Sequence, residues 1–153
     1  MSWREELEKA LTGKKVIVLG VGNDMKGDDA LGKYVFDRLK TDSKIFCATM
    51  PENYIKTIKP IAPDVILIVD AADFGEEPGT IGFVSSEQLQ KSSASTHSMS
   101  FLLFARMLPD ARLYVLGVQP ESIEFGEPMS GIVKKRGNEV AAVLNRRLRD
   151  PHC

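Results

Sequence analysis

Three aspartates and one histidine carry the chemistry open to this chain. Asp28 and Asp29 stand side by side near the end of residues 15–32, KVIVLGVGNDMKGDDALG, and Asp70 closes the apolar run DVILIVD at 64–70. His97 lies in the polar connector SSASTHSMS and is the one histidine inside the body of the chain; the other, His152, is next to last. Two carboxylates and an imidazole can hold an open divalent-metal site, or act as general acid and base. Taken singly, each has an ordinary structural use. An aspartate before a helical pattern caps it, glycines turn the chain, and a histidine among serines is simply exposed.

The elements around these residues decide whether they meet. Residues 16–21 are apolar on both faces, as are 64–70 and 113–118, which suits central strands covered by helices on both sides. Strands are further expected at 44–50 and 80–85. A first helix carries Trp3, Leu7 and Leu11 on one face and can be capped by Ser2. Helical spacing recurs at 29–40, from Pro51 to Ile61, at 86–91 and at 101–108. The last helix runs from Ser130 with Val133, Val140, Leu144 and Leu148 on one stripe, and its arginines Arg146, Arg147 and Arg149 read as a solvated face suited to a helix carboxyl end. Strands alternating with helices predict an α/β domain with a mostly parallel sheet. Ligands of such sheets bind outside the carboxyl ends of the strands. Asp29 and Asp70 are thereby brought to one edge, and a polar connector can carry His97 over it. The pattern does not rank Asp29 over Asp28.

Composition narrows the classes. With 153 residues, one domain from 1 to 153 is expected. Twenty basic and 21 acidic side chains give a net charge of −1, so there is no basic surplus for phosphate-backbone contact and no nucleic-acid role is expected. The amino end MSWREELEKAL does not read as a signal peptide, and no apolar run approaches the ~20 residues that span a bilayer. Cys47, inside an apolar run, and Cys153, the last residue, make neither a disulfide framework nor a metal knuckle, so a reduced, cytoplasmic setting is expected. No heptad or long exposed apolar stripe calls for an oligomer, and a monomer is expected.

At these same residues the chain resembles the hydrogenase maturation endopeptidases, which trim the C-terminal extension of nickel–iron hydrogenase large subunits. The blocks that carry the resemblance are LGVGNDMKGDD at 19–29, PEN at 51–53, IVDAAD at 68–73, PG at 78–79, THSM at 96–99, LGVQP at 116–120 and FGEPM at 125–129. They stand in the family's order from about residue 15 to 148, and the chain is most similar to the branch that serves hydrogenase 3, the formate-hydrogenlyase type. The resemblance implies a three-layer α/β/α sandwich with a twisted, mostly parallel sheet, phosphorylase/hydrolase-like. It further implies that Asp29, Asp70 and His97 are the metal-contacting and catalytic residues. The metal would be nickel carried by the substrate, and the partner the C-terminal region of the large-subunit precursor. One departure stands out. Many relatives carry an Asp-Gly-Gly segment upstream of the PEN block, where this chain reads FCATM at 46–50 with no acid.

The chemistry so implied is hydrolysis by water that metal or a carboxylate base activates. A proton-sharing aspartic dyad fits less well, because a neighbouring histidine and metal favour two ionised acids. Cys47 in an apolar strand and the absence of a GxSxG elbow argue against a nucleophilic triad. Two other readings compete. A nucleotide-binding protein would use the GVGN loop for phosphate, but Met25 stands where the third fingerprint glycine belongs, and the two acids behind it repel pyrophosphate. A non-catalytic nickel- or precursor-binding chaperone could use the same three ligands.

Overall fold

A computed structural model of the chain describes residues 1–89 and 98–148. Helix α1 is Trp3–Leu11, and Ser2 caps it as expected, its Oγ accepting from the Glu5 amide at 3.2 Å. Strand β1, Val16–Val21, is buried throughout. The helical pattern expected from Asp29 starts differently: Gly27–Ala30 forms a 3-10 turn and helix α2 spans Leu31–Arg38. Strand β2 is Lys44–Ala48, shorter than expected. Pro51–Tyr54 then makes a second 3-10 turn, and α3 is a single turn, Ile55–Ile58. Strand β3, Val65–Ala71, is buried at every residue. Strand β4 is Ile81–Ser85, followed by α4, Ser86–Leu89. The chain is completed by α5, Ser98–Met107, strand β5, Arg112–Val118, and α6, Gly131–Arg147.

The five strands lie in the order β2-β1-β3-β5-β4. The first four are parallel, and β4 pairs antiparallel with β5 at the edge. Alternation along β1 and β3 sorts the core into two layers. Val16, Val18, Val65, Leu67 and Val69 pack against α1, α2 and α6. Ile17, Leu19, Ile66 and Ile68 face the other way, onto Ile58 of α3 and Phe101 and Phe104 of α5. Each such side chain stabilises the fold by about 1.5–3 kcal/mol on burial, so both faces are held by apolar contact. The result is the expected three-layer α/β/α sandwich.

From β1 the chain turns one way to β2, and from β2 it crosses back to β3 on the other side of β1. The crevice between the carboxyl ends of β1 and β3 is therefore the topological switch point, where open α/β sheets bind their ligands.

Candidate active site

Two glycines bring the acids to that crevice. Gly22 has φ 136°, and a Cβ there would collide with the Asp29 carbonyl; a Cβ on Gly32 would strike the Val21 carbonyl. The loop can fold back onto the end of β1 only because both side chains are missing. Asp29 is then held where its Oδ2 accepts from the Asn23 amide at 2.8 Å. Its Oδ1 accepts no hydrogen bond among the described residues, although the residue is only 8% exposed.

Asp70 reaches the same place along β3. Gly20 pairs with Val69 in the register of β1 and β3, so Asp70 sits one residue beyond that pair, and the Gly27–Ala30 turn packs against β3. Asp70 is fully buried. By alternation it shares the face of Ile66 and Ile68, the one covered by α5. Its partner across β5 is Gly117, and the place a side chain would take there is filled by Ala72 and Phe74. His97 lies outside the described residues; the residue after it, Ser98, begins α5. Among the described residues no three potential metal ligands gather, so any three-ligand site at this edge must draw a ligand from elsewhere.

Asp28 lies in the Gly27–Ala30 turn, but its carboxylate caps no helix and instead ties distant parts of the chain together. Its carboxylate is 99% buried, the exposure being 1%, and it accepts from the amides of Glu121, Ser122 and Ser130 at 2.8, 3.2 and 2.7 Å and from Ser130 Oγ at 2.9 Å. Ser130 stands at the cap position of α6, yet its hydroxyl goes to Asp28 and makes no cap bond. Asp28 thus ties the 119–130 connection to the loop that carries Asp29. Sequence reading missed this because the partners lie 93 to 102 residues away and no local pattern signals them. Gln119 was missed in the same way. Its Oε1 accepts from the Phe74 amide at 2.6 Å and its Nε2 donates to Asp73 at 3.1 Å, bracing the loop beyond Asp70. The Gly75 amide, and secondly the Gln119 amide group, hold the Asp73 carboxyl below the usual carboxylate range.

Cys47 is buried on β2, and burial, with a smaller contribution from the Glu52 charge, pushes its thiol up to about 12. A neutral, inaccessible thiol is no nucleophile. An open hollow of about 530 Å³ lies at the opposite edge of the sheet, lined by Lys14, Asp64, Asp110 and Arg112 among others. It contains no residue of the sheet-edge set.

A pair of buried carboxylates at the switch point of a five-stranded α/β/α sheet supplies the groups that acid–base or metal-assisted hydrolysis needs. The chain belongs to the hydrogenase maturation protease family: the family model described as HycI, hydrogenase maturation protease, matches residues 47–146. It is an endopeptidase of hydrogenase maturation. It is 31% identical to the hydrogenase 3 maturation protease of Escherichia coli over 126 residues, covering 77% of this chain and 81% of that one. Among solved structures, it superposes on the [NiFe] hydrogenase maturation protease HycI from Thermococcus kodakarensis with a TM-score of 0.82 and 29% identity, covering 95% of this chain and 99% of that one. The solution structure of the Escherichia coli endopeptidase HycI gives a TM-score of 0.75 at 28% identity, covering 86% and 90%. Among the described residues no helix is long and apolar enough to cross a membrane.

Proposed function

We propose that the protein removes the C-terminal extension from the nickel-loaded precursor of a nickel–iron hydrogenase large subunit, in the cytoplasm and as a monomer. Nickel is read as part of the substrate. Asp29 and Asp70 offer oxygen donors and His97 a nitrogen donor, a set that fits an exposed divalent metal with positions left for the precursor's own groups. Once such a complex forms, the metal can polarise the scissile region, and a carboxylate of this chain can take a proton from the attacking water.

The observation that supports this reading is the convergence of Asp29 and Asp70. Asp29 comes from the 3-10 turn that follows β1 and Asp70 from β3, 41 residues apart in sequence, and both are buried at the one crevice where this topology binds ligands.

The test is incubation of the protein with nickel-loaded and nickel-free precursor, followed by mass spectrometry of the product's carboxyl end. Truncation of the loaded form alone is expected. Asp70→Asn and His97→Ala are expected to abolish it while leaving circular dichroism unchanged. Binding without truncation would instead favour a chaperone, and normal processing by both variants would remove them from the site.

A further inference from the structure

Charge and apolar exposure are distributed unevenly between the two edges of the sheet. Among the described residues, the connections leaving the carboxyl ends of the strands carry seven exposed acids. Asp24 follows β1, Asp73, Glu76 and Glu77 follow β3, and Glu121, Glu124 and Glu127 follow β5. The only base in those connections is Lys26. Lys134 and Lys135, just beyond, lie on α6, which covers the opposite face of the sheet from Asp70. At the other edge, the described turns entering the strands carry Lys14, Lys15, Lys40 and Lys59 against Asp42, Asp64 and Asp110. A chain of net charge −1 is therefore strongly polarised, with its negative end at the crevice.

Large apolar side chains are exposed at the same edge. Met25 is 57% exposed, Phe125 72%, Met50 52% and Met99, in the first turn of α5, 79%; Ile123 joins them. The two loops that carry Met25 and Phe125 are fixed to each other. The Gly126 amide donates to the Met25 carbonyl at 2.8 Å, the Gly27 amide to the Glu127 carbonyl at 3.2 Å, and Asp28 pins the same two loops. The bracing holds the main chain of both loops in place, with Met25 and Phe125 exposed on it. Methionines are adaptable contact residues, and clustered exposed apolar groups rimmed by charge mark a docking surface. A third observation comes from the PEN turn: Glu52 Oε2 is buried and has no hydrogen-bond partner among the described residues.

We infer that this edge is a docking surface for a cationic, apolar segment of polypeptide. The inference rests on the endopeptidase reading and deepens it: the region of the precursor that this enzyme grips carries lysine or arginine interspersed with large apolar side chains. Apolar residues seat among Met25, Phe125, Met50 and Met99, while the acidic rim attracts the charges, speeds encounter and disfavours acidic segments. The remaining candidate occupant is a second copy of this chain, which would have to bring its own acidic edge against this one.

The test uses three fluorescent 20-residue peptides, read by anisotropy: one of alternating apolar and Lys/Arg residues, one with Glu in place of Lys/Arg, and one with Ser in place of the apolar residues. The first is expected to bind the intact protein about tenfold more tightly than either other, and to weaken about tenfold between roughly 0.05 and 0.3 M salt. Glu124→Lys with Glu127→Lys, and separately Met25→Ser with Phe125→Ser, are expected to lose that preference. Lys14→Glu with Lys40→Glu, at the far edge, is expected to keep it. With the nickel-loaded precursor the two carboxyl-edge variants should show KM raised about tenfold and kcat unchanged. Equal binding of the cationic and acidic peptides, carboxyl-edge variants that bind like the parent, or a dimer that hides Met25 and Phe125 in sedimentation would each overturn the inference. Truncation of the precursor with unaltered KM in those variants overturns it while leaving the endopeptidase reading intact. Selective peptide binding without any truncation overturns the endopeptidase reading instead.

Discussion

Asp28 and Asp29 are neighbours in sequence, share one 3-10 turn and are both buried, yet their carboxylates do opposite things. Asp28 accepts four hydrogen bonds from the 119–130 connection and has nothing left for a ligand. Among the described residues Asp29 accepts one, from the Asn23 amide, and its other oxygen accepts none. A buried carboxylate saturated by amides is a structural strut, whereas one held by a single bond is oriented but still available. Burial alone does not separate the two; the count of donors does.

The sharpest way to break that contrast is to remove each charge in turn. Asp29→Asn is expected to lower precursor truncation by about a thousandfold or more, with the unfolding midpoint almost unmoved, because its one hydrogen bond to Asn23 can be kept. Asp28→Ala is expected to do the reverse. Three amides and a hydroxyl lose their acceptor, which should cost about 3–5 kcal/mol of stability, while the fraction that remains folded still cuts. Urea unfolding and mass-spectrometric truncation assays on both variants settle it. If Asp28→Ala were as stable as the parent, or Asp29→Asn cut normally, the division of labour drawn here would be wrong.

Much of this site could be read in the sequence, and the reason lies in where its causes sit. DVILIVD and VIVLGV announce themselves as buried parallel strands because their cause is local, a continuous apolar run bounded by turn residues. Strand topology then brings Asp29 and Asp70 together without any knowledge of side-chain contacts. The role of Asp28 could not be read, because it depends on amides at 121, 122 and 130 that topology alone does not place. The start of α2 moved for the same reason. The carboxylates that looked like its cap bond elsewhere, so Gly27–Ala30 tightens to a 3-10 turn and the helix begins at Leu31. The antiparallel pairing of β4 also left no local trace, since its residues alternate no differently from those of a parallel edge strand.

A smaller effect separates the β2 side of the crevice from the Asp28 side. Cys47 has its thiol pushed up to about 12, mainly by burial and secondly by Glu52, from an ordinary value of 9.0 in the unfolded chain. The unfolded chain therefore loses this proton first. The stabilising effect is present in full below about pH 9 and is lost as pH rises from there toward 12. Urea unfolding of the parent and of Cys47→Ala should show a parent advantage at pH 7 that narrows by pH 10. An advantage that grew with pH would contradict the burial account. The same neutral thiol should resist iodoacetamide at pH 7 in a Cys153→Ser background.

The smallest expected effect tests how rigidly the Asp29 loop is seated. The Gly22 amide donates to the Ala48 carbonyl at 2.8 Å, joining that loop to the end of β2, and the pairing of β1 with β2 shifts register between Gly20 and Val21. Ala48 makes this join at φ 51°, left-handed backbone that an L-residue adopts at a cost of about 1–2 kcal/mol. Its side chain is exposed, so removing it forfeits almost no packing. Ala48→Gly relieves the strain but frees the unfolded chain, which offsets about 0.4–1 kcal/mol. The net expectation is a gain of about 0.5–1 kcal/mol in urea unfolding, with truncation unchanged. Asp28→Ala and Ala48→Gly act on opposite sides of the same loop through no shared partner, so their effects should add within about 0.5 kcal/mol. A larger coupling would mean that the strut at Asp28 and the join at Gly22 seat Asp29 as one unit, and the contrast between the two aspartates would then be one of degree.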